Sequence, residues 1–556
     1  MRRPPLDAGE DPGGGAARPD PAALSATPGE RPDPPRLGRR AFLGALGGGA
    51  LAALAPQWVR GGALPLPGEP APAEAAVPFR AALPIPRELH GDEIEIPIQE
   101  AEAQILPGRR TRLWTYGGTF PGPTIRRWAG RRTRVTFHHR LPAAGELTAH
   151  FHGGHNRTQF DGQPGGLTAS HPASFYCDIP AGLSPRQSGN DLLIRPGSRK
   201  TYLYDLVEEG RPVRSAFRWY HDHRLDRTAP HVWRGLAGMF IVDDGFDASL
   251  PLPSGERDIP LMIAERSFDR HNQLTDPFKQ RRNPPADGVV GDRVLVNGAF
   301  MPHHHVDPRR YRLRILNASP FRSYNLHLSN GAPMAQIATD SGLMPAPVRR
   351  SEILLGPAER VEVVVDFSAA RGESVELRST ARHSGRNVAG ARTYAGALMQ
   401  FRVGSARLPD RTRVPRKLRP LPAWTRRAGR RPDHRWEITV GGLFKTTWLL
   451  NGRTFDPAYC DTYPRLGSVV TWEIHNRTSV AHLMHLHHND WYLLERDGRR
   501  PPPWEACLKD TFFVFPGERI LIAGHLADYP GRFVVHCHML DHEDHGLMGQ
   551  FQVVRA

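Results

Sequence analysis

Short runs of alternating apolar and polar residues, separated by Gly and Pro turn residues, recur along the chain from about residue 86 onward. Clear examples are residues 134–137, 311–316 and 361–365. In a β-strand, alternation with a period of two directs one face toward a core, and short strands between turn signals are typical of sandwiches and barrels. The pattern therefore predicts an all-β protein.

Three similar strand-like runs, at residues 238–242, 397–401 and 549–554, suggest that one β unit occurs three times. We place β-sandwich or barrel domains at 86–245, 246–403 and 436–556. Between the second and third lies the segment 404–435, which is rich in Pro and basic residues and has no apolar periodicity. We interpret it as a linker, and a solvated connector fits this composition better than a docking site.

The first 85 residues differ from the rest. Residues 1–36 have almost no large apolar side chains and are predicted to be disordered. In residues 37–60, Arg39 and Arg40 precede an uncharged Ala, Gly and Leu run that resembles a twin-arginine export signal, and 61–85 would be a linker. The alternative for the signal is a short buried helix. Pro56 directly follows an Ala-x-Ala site and should hinder cleavage there, so the cleavage point is left open. Export would place the protein outside the cell, in the cell wall or in the periplasm.

The amino-acid composition narrows the range of functions that this protein could have. The net charge is +16, but only five of the 73 basic residues are Lys, and the Arg residues are spread along the chain. Nucleic-acid recognition needs a clustered basic surface or a known module, and neither is evident. No run approaches the roughly 20 apolar residues of a membrane-spanning helix. Four Cys exclude a disulfide-stapled scaffold.

Histidine is the anomaly, with 27 residues, many in closely spaced groups. In a strand, residues i and i+2 face the same side, so a His-x-His pair directs two imidazoles toward one point. One such pair is weak evidence for a metal, but four groups are hard to explain as a solvated face. The groups comprise His150 and His152; His221 and His223; His482, His485 and His487; and His536, Cys537, His538 and His542.

The tripeptide of His536, Cys537 and His538 is the most informative group. Strand alternation points the thiol to one face and the two imidazoles to the other, so the tripeptide can serve two metal centres. A thiolate with two imidazoles is the blue-copper ligand set, although zinc is not excluded by ligand type. Cys537 with His482 and His542 would form this centre. Eight imidazoles would then surround a second site suited to several copper ions, namely His150, His152, His221, His223, His485, His487, His536 and His538.

With these motifs in this order, residues 86–556 resemble the multicopper oxidase family. The resemblance implies three cupredoxin-like domains and four copper ions, one type 1, one type 2 and two type 3. It implies that His482, Cys537 and His542 bind the type 1 copper, and that His150 and His485 bind the type 2 copper. The implied type 3 ligands are His152, His221, His223, His487, His536 and His538. The middle domain would supply no ligands and would act as a spacer.

Further residues resemble spore-coat laccases, bilirubin oxidases and phenoxazinone synthase within the family: Gly153, Gly154, Asp161, Gly162, Trp219, Tyr220, Val296, Asn297, Gly298, Glu543 and Asp544. Two positions depart from the family pattern. Leu483 replaces a usual Pro, which is a packing change. Leu547 stands where these relatives often have an axial Met, and losing this thioether should raise the potential of the type 1 copper. A register that places Met548 there is the alternative.

The resemblance implies that small aromatic donors are oxidised one electron at a time while O₂ is reduced to water. Water formation consumes protons, and Asp161 and Glu543 match proton-relay positions of similar enzymes; the alternative for each is a carboxylate that orients a ligand histidine. Asp222 should be structural. The oligomeric state is not readable.

Two other functions compete with a laccase-like oxidase. A cuprous oxidase for copper tolerance would be expected to carry Met-rich segments, whereas the ten Met are scattered. An electron-transfer cupredoxin needs only one site, which leaves eight histidines unexplained.

The remaining His and Cys residues are expected to have no part in the metal sites. We expect His303, His304 and His305 to lie in a solvent-facing loop. Cys460 and Cys507 are candidates for a disulfide, and Cys177 leaves the pairing open.

Overall fold

Strands make up nearly all of the regular structure in the computed structural model, which describes residues 77–165, 192–278, 288–381, 388, 390–442 and 447–555. The predicted disordered segment 1–36, the predicted signal 37–60, most of the predicted linker 61–85 and Cys177 lie outside these ranges. None of the helices in the described ranges is long and apolar enough to span a membrane.

The first group of strands forms two sheets and a small hairpin. Its elements are β1 (Glu88–Leu89), β2 (Glu93–Ala103), β3 (Thr111–Tyr116), β4 (Gly122–Trp128), β5 (Thr133–His139), β6 (His150–His152), β7 (Arg199–Tyr204), β8 (Val207–Glu208), β9 (Arg211–Pro212), β10 (Ala216–His221), α1 (Thr228–Arg234), β11 (Ala237–Asp243) and α2 (Gly245–Ala248). The sheets have the orders β1-β4-β11-β10-β6 and β3-β2-β5-β7, and β8 pairs with β9. Ile94, Ile96 and Ile98 of β2 are buried against Phe240 of β11, so the core lies between the two sheets.

The second group has the same two-layer arrangement with more strands. Its elements are β12 (Asp258–Arg266), β13 (Arg293–Val296), β14 (Ala299–Phe300), β15 (His303–Val306), β16 (Arg310–Asn317), β17 (Tyr324–Leu328), β18 (Met334–Thr339), β19 (Gly342–Arg350), β20 (Ile353–Leu355), β21 (Arg360–Asp366), β22 (Ser374–Ser379) and β23 (Gly396–Val403). A seven-stranded sheet, β14-β13-β12-β16-β21-β18-β19, packs on a five-stranded sheet, β15-β23-β22-β17-β20.

The third group completes the fold. Its elements are β24 (His434–Gly441), β25 (Thr447–Leu450), β26 (Val469–Asn476), β27 (His482–Leu486), β28 (Trp491–Arg496), β29 (Leu508–Lys509), β30 (Thr511–Val514), β31 (Arg519–His525), β32 (Gly531–Cys537), α3 (Leu540–Asp544) and β33 (Met548–Val553). The sheets have the orders β25-β24-β26-β31-β28-β29 and β30-β27-β32-β33. Short 3-10 turns lie at Pro142–Ala144, Thr158–Phe160, Gly255–Arg257 and Ala423–Arg426.

The all-β prediction is confirmed. The runs at 134–137, 311–316 and 361–365 lie in β5, β16 and β21, and the three recurring runs lie in β11, in β23 and, except for residue 554, in β33. The prediction of a solvent-facing loop at His303, His304 and His305 is wrong. These residues begin β15, which pairs in parallel with β23, and the His303 N–H donates to the carbonyl of Ala81 at 2.8 Å. Pro302 directly precedes this strand, at a position where its missing N–H costs no ladder bond.

Segment 404–435 is not solvated along its whole length. The Leu418 N–H donates to the carbonyl of Pro345 at 2.9 Å, and Arg419 pairs with Asp244. Trp424 is buried against Leu494 and Leu521 of the third group. The segment is therefore packed against the rest of the chain, although most of its arginines are exposed.

The proposed disulfide between Cys460 and Cys507 is absent. Both thiols are buried, and neither is joined to the other. Burial raises the pKa of the Cys507 thiol to about 12. Spacing along the chain could not reveal this, since a disulfide requires Cβ atoms about 4 Å apart.

Candidate metal centre

Two pairs of adjacent strands carry the histidine motifs. In the first group, β6 pairs with β10 so that His150 lies opposite His221. In the third group, β27 pairs with β32 so that His485 lies opposite His536. Antiparallel pairing therefore places two histidine motifs side by side in each group. Histidines that are distant in sequence thus lie on one face of the sheet.

The two motif pairs meet each other across the boundary between the first and third groups. The rings of His152 and His485 stack with centroids 3.7 Å apart, and those of His150 and His487 stack at 4.0 Å. All eight predicted histidines of the second site are buried, and they form one cluster: His150, His152, His221, His223, His485, His487, His536 and His538.

Within this cluster, the ligand atoms of three histidine triads lie within 4.8 Å of one another. The triads are His150, His152 and His485; His152, His221 and His538; and His223, His487 and His536. In the last triad, the Nε2 atoms of the three rings are only 3.2 to 3.3 Å apart. Three nitrogens pointing at one another at this distance provide a trigonal site for a cation.

The unpaired nitrogens of the cluster also fit metal ions. No hydrogen-bond partner in the described part of the chain reaches Nε2 of His150, His221 and His485, or Nδ1 of His152. Burial lowers the pKa of these imidazoles, that of His221 to about 3, so they are neutral and offer lone pairs. A buried polar atom without a partner costs about 1–3 kcal/mol, and a metal ion would satisfy several such atoms together.

A second, smaller site lies on the other face of β32. Cys537 Sγ is 3.6 Å from Nδ1 of both His482 and His542, and these two nitrogens are 3.2 Å apart. All three side chains are buried. Burial raises the pKa of the Cys537 thiol to about 12, so a bound cation would be needed to hold it as a thiolate.

Apolar side chains surround this smaller site. Trp448 packs its ring 4.4 Å from that of His542 and 4.9 Å from that of His482, and Phe321 covers the His542 ring at 5.2 Å. The site is thus shielded from water, which lowers the polarity around the thiolate.

The packing of Leu547 and Met548 indicates which of them lies at the axial position of the smaller site. Leu547 is fully buried in the same apolar cluster as Cys537, and its carbonyl accepts the Cys537 N–H at 3.1 Å. Met548 packs in a separate cluster with Leu225 and Val534. This arrangement favours Leu547 as the residue beside the smaller site.

Asp161 lies at the edge of the histidine cluster. Its Oδ2 is 2.7 Å from His487 Nδ1 and accepts from Gln163 at 2.9 Å, while its backbone carbonyl accepts from His150 Nδ1 at 2.5 Å. Oδ1 has no hydrogen-bond partner among the described residues, and burial raises the pKa of this carboxyl well above its usual range. Gly162 allows this close approach, since a Cβ there would lie 2.4 Å from the His150 backbone nitrogen.

Glu543 lies beside two rings of the cluster. Its two oxygens lie 3.2 Å from His223 Nδ1 and 2.9 Å from His536 Nδ1, and Thr228 donates to it at 2.6 Å. Burial alone would raise its pKa, but His223 and His536 outweigh burial and lower the pKa to about 2. Glu543 therefore stays ionised and orients two rings of one triad.

Asp222 is structural, as predicted. Its carboxylate accepts from the Thr148 N–H at 2.9 Å and from His231 Nδ1 at 2.6 Å, and it belongs to none of the ligand groups.

Three contributors were not predicted from sequence. Asp510, in the third group, lies 3.2 Å from His152 Nε2, and Arg360, in the middle group, holds both Asp510 oxygens. They are 150 residues apart along the chain, and no motif marks either one. Trp448 was also missed, because an aromatic residue on a strand normally indicates core.

Fold and site together define a β protein with a small site of one thiol and two imidazoles and a larger site of eight imidazoles, both suited to metal ions. Multicopper oxidase family models match residues 97–174 and 427–556. A laccase from Bacillus stratosphericus is 33% identical over 495 residues, covering 80% of this chain and 91% of that protein. The bilirubin oxidase of Albifimbria verrucaria is 30% identical over 512 residues, covering 85% and 81%. The crystal structure of a laccase from Pediococcus acidilactici has a TM-score of 0.71 at 28% identity, covering 87% and 95%.

The chain belongs to the multicopper oxidase family and is a copper-dependent oxidoreductase with three cupredoxin-like domains. The family implies copper. The clustered histidine nitrogens, several of them without a hydrogen-bond partner in the described part of the chain, fit that metal.

Proposed function

We propose that this protein is a laccase-like oxidase that takes single electrons from phenolic or aminophenolic donors and reduces O₂ to water. We propose His482, Cys537 and His542 as the type 1 ligands. The type 2 ligands would be His150 and His485, and the type 3 ligands His152, His221, His538, His223, His487 and His536. Relatives named laccase and bilirubin oxidase support an organic donor.

One observation carries the proposal: a single tripeptide belongs to both sites. Cys537 faces His482 and His542, while His536 and His538 on either side of it face the histidine cluster. The main chain thus links the two sites by a few covalent bonds. An electron-transfer protein with one site has no use for this link, whereas an oxidase that collects electrons at one site and uses them at another depends on it.

Copper would supply one-electron redox steps at the smaller site and a store of electrons for O₂ at the larger one. The chain's own residues do the rest. Trp448 and Phe321 cover the histidines of the smaller site and exclude water from it. Asp161 holds His487 with one oxygen and leaves the other available to pass a proton into the cluster.

The positions of the methionines do not favour cuprous ion as donor. Eight of the nine methionines in the described ranges are buried: Met239, Met262, Met334, Met344, Met399, Met484, Met539 and Met548. The ninth, Met301, lies in the middle domain, where its carbonyl accepts from the Phe79 N–H. These eight thioethers are buried and therefore offer no exposed ligand to an incoming cuprous ion, which supports an organic donor.

Oxygen uptake by the copper-loaded protein tests the proposal, with a methoxyphenol and cuprous ion as parallel donors and an assay for hydrogen peroxide. We expect uptake with the phenol and no peroxide. Uptake with cuprous ion alone would replace the proposal with copper detoxification, and no uptake with either donor from a fully loaded protein would overturn it.

We also propose export through the Arg39 and Arg40 signal, to a location outside the cytoplasm. Replacing both arginines with lysine should retain the protein in the cytoplasm of an expressing bacterium. Unchanged export of the Lys variant would contradict this assignment.

A further inference from the structure

We propose that Arg360, in the middle domain that carries no ligands, is a positioning residue for the histidine cluster and acts through Asp510 on His152. The inference rests on the proposed ligand set. It assigns the middle domain a part in copper binding beyond that of a spacer.

Every donor of the Arg360 guanidinium is used. Nε donates to the carbonyl of Phe217 at 3.0 Å, on strand β10, which ends at the ligand His221. Nη1 donates to Ala358 O at 3.1 Å and Asp510 Oδ1 at 2.7 Å; Nη2 donates to Asp340 O at 3.0 Å and Asp510 Oδ2 at 2.5 Å. The side chain is 1% exposed. It therefore joins all three domains at one point.

Asp510, which Arg360 holds, contacts two histidines of the cluster. Its Oδ1 lies 3.2 Å from His152 Nε2, and its backbone carbonyl accepts from His485 Nδ1 at 2.9 Å. Because Nε2 of His152 is engaged with Asp510, Nδ1 is the nitrogen left toward the cluster, and Nδ1 is the one without a partner. His485 presents Nε2 for the same reason. The Asp510 contacts thus select which nitrogen each ring offers.

Gly153 shows how tightly the ion pair lies against the ligand strand. A Cβ at this position, directly after His152, would be 2.6 Å from Asp510 Oδ2 and 2.7 Å from Arg360 Nη2. Gly153 also has a positive φ of 77°, which other residues rarely adopt. Only glycine at position 153 leaves room for Arg360 and Asp510 to lie against the strand that carries His152.

Two further charges hold the pair in place. Asp340 accepts the Arg360 backbone N–H at 2.8 Å, and Lys509 Nζ lies 2.9 Å from Asp340 Oδ2 and 3.1 Å from Glu359. Removing Arg360 would take away the guanidinium that donates to both oxygens of the buried Asp510 side chain. Asp510 would then be free to rotate away from His152.

A matched control separates positioning from general destabilisation. Arg314, on β16 of the same domain, is also 1% exposed and also holds two carboxylates, Asp258 and Glu362. Within the described part of the chain, its hydrogen bonds and ion pairs go to Asp258, Glu362 and Asp243, and none goes to a cluster histidine or to Asp510. Arg314→Met should lower stability much as Arg360→Met does but leave the cluster intact.

The experiment compares copper content, the electron paramagnetic resonance signal of the type 2 copper and the near-ultraviolet band of the type 3 pair in four proteins. These are the full-length wild type, Arg360→Met, Arg360→Lys and Arg314→Met, each loaded with copper and challenged with a chelator. We expect Arg360→Met to keep the blue type 1 colour but to lose type 2 and type 3 copper at a chelator concentration about 10–100-fold lower than wild type. Arg360→Lys keeps the charge but cannot bind both Asp510 oxygens in the same way, so it should be intermediate.

Equal retention of cluster copper in wild type and Arg360→Met would overturn the inference, and so would equal loss in Arg360→Met and Arg314→Met. If Arg360→Met fails to fold, a wild-type level of cluster copper in Arg360→Lys would overturn it. A wild-type protein that binds no cluster copper would instead overturn the proposed ligand set, so the two failures are distinguishable.

Discussion

The two predicted copper sites share the tripeptide of His536, Cys537 and His538 but lie in opposite surroundings. Around Cys537 the neighbours are Trp448, Phe321 and Leu547, and no carboxylate belongs to this ligand group. Around the eight-histidine cluster lie the carboxylates of Asp161, Glu543 and Asp510.

The chemistry proposed for each site explains this difference. A site that only exchanges electrons needs no proton, and an apolar shell keeps water away from its thiolate. A site that converts O₂ to water consumes protons and must hold several neutral imidazoles in defined tautomers, which requires acids and hydrogen-bond acceptors nearby. The following predictions test this division, beginning with the largest effect.

Cys537→Ser should remove the blue colour and all turnover, because it takes away the thiolate and the electron entry point. The eight-histidine cluster should still bind copper, since none of its ligands is changed. Absorption spectra and copper content measure both effects. A serine variant that stays blue and active would refute the ligand assignment.

Asp161→Asn should slow oxygen reduction by about 10²- to 10⁴-fold, the range for loss of a general acid. The amide keeps the shape of the side chain and can still accept from His487, so copper content should change little. Reoxidation of the fully reduced protein by O₂ in a stopped-flow instrument measures this rate, and reduction of the type 1 copper by the donor provides the internal control. Unchanged reoxidation would reduce Asp161 to an orienting role.

Glu543→Gln should affect binding more than rate. Glu543 faces two ligand rings and Thr228, and its lowered pKa makes it an acceptor instead of a proton donor. We expect copper affinity of the cluster to fall about 10–100-fold. Titration with a chelator measures this, and a variant with full affinity but slow reoxidation would show that Glu543 is the relay.

The sequence predicted which histidines come together, because strand alternation and hydrogen-bonded register place His-x-His pairs side by side without knowledge of the loops. It predicted less about what supports them. Asp510 and Arg360 meet only after three domains have packed, so no local pattern marks them. His303 was misjudged for a related reason, since its strand forms by pairing with β23 and with residues near Ala81, far away along the chain.

The smallest effect is expected at Leu547, which tests the apolar half of the comparison. Leu547→Met would place a weak thioether donor beside Cys537, and such a donor stabilises the oxidised metal and lowers the potential. We expect a fall of up to about 60 mV, equivalent to roughly a tenfold change in a one-electron equilibrium. Redox titration of the blue band measures the shift. Met548→Leu is the matched control, because Met548 packs with Leu225 and Val534 and should leave the potential unchanged. If instead Met548→Leu raises the potential and Leu547→Met does nothing, Met548 is the axial residue and the site is less apolar than its neighbours indicate.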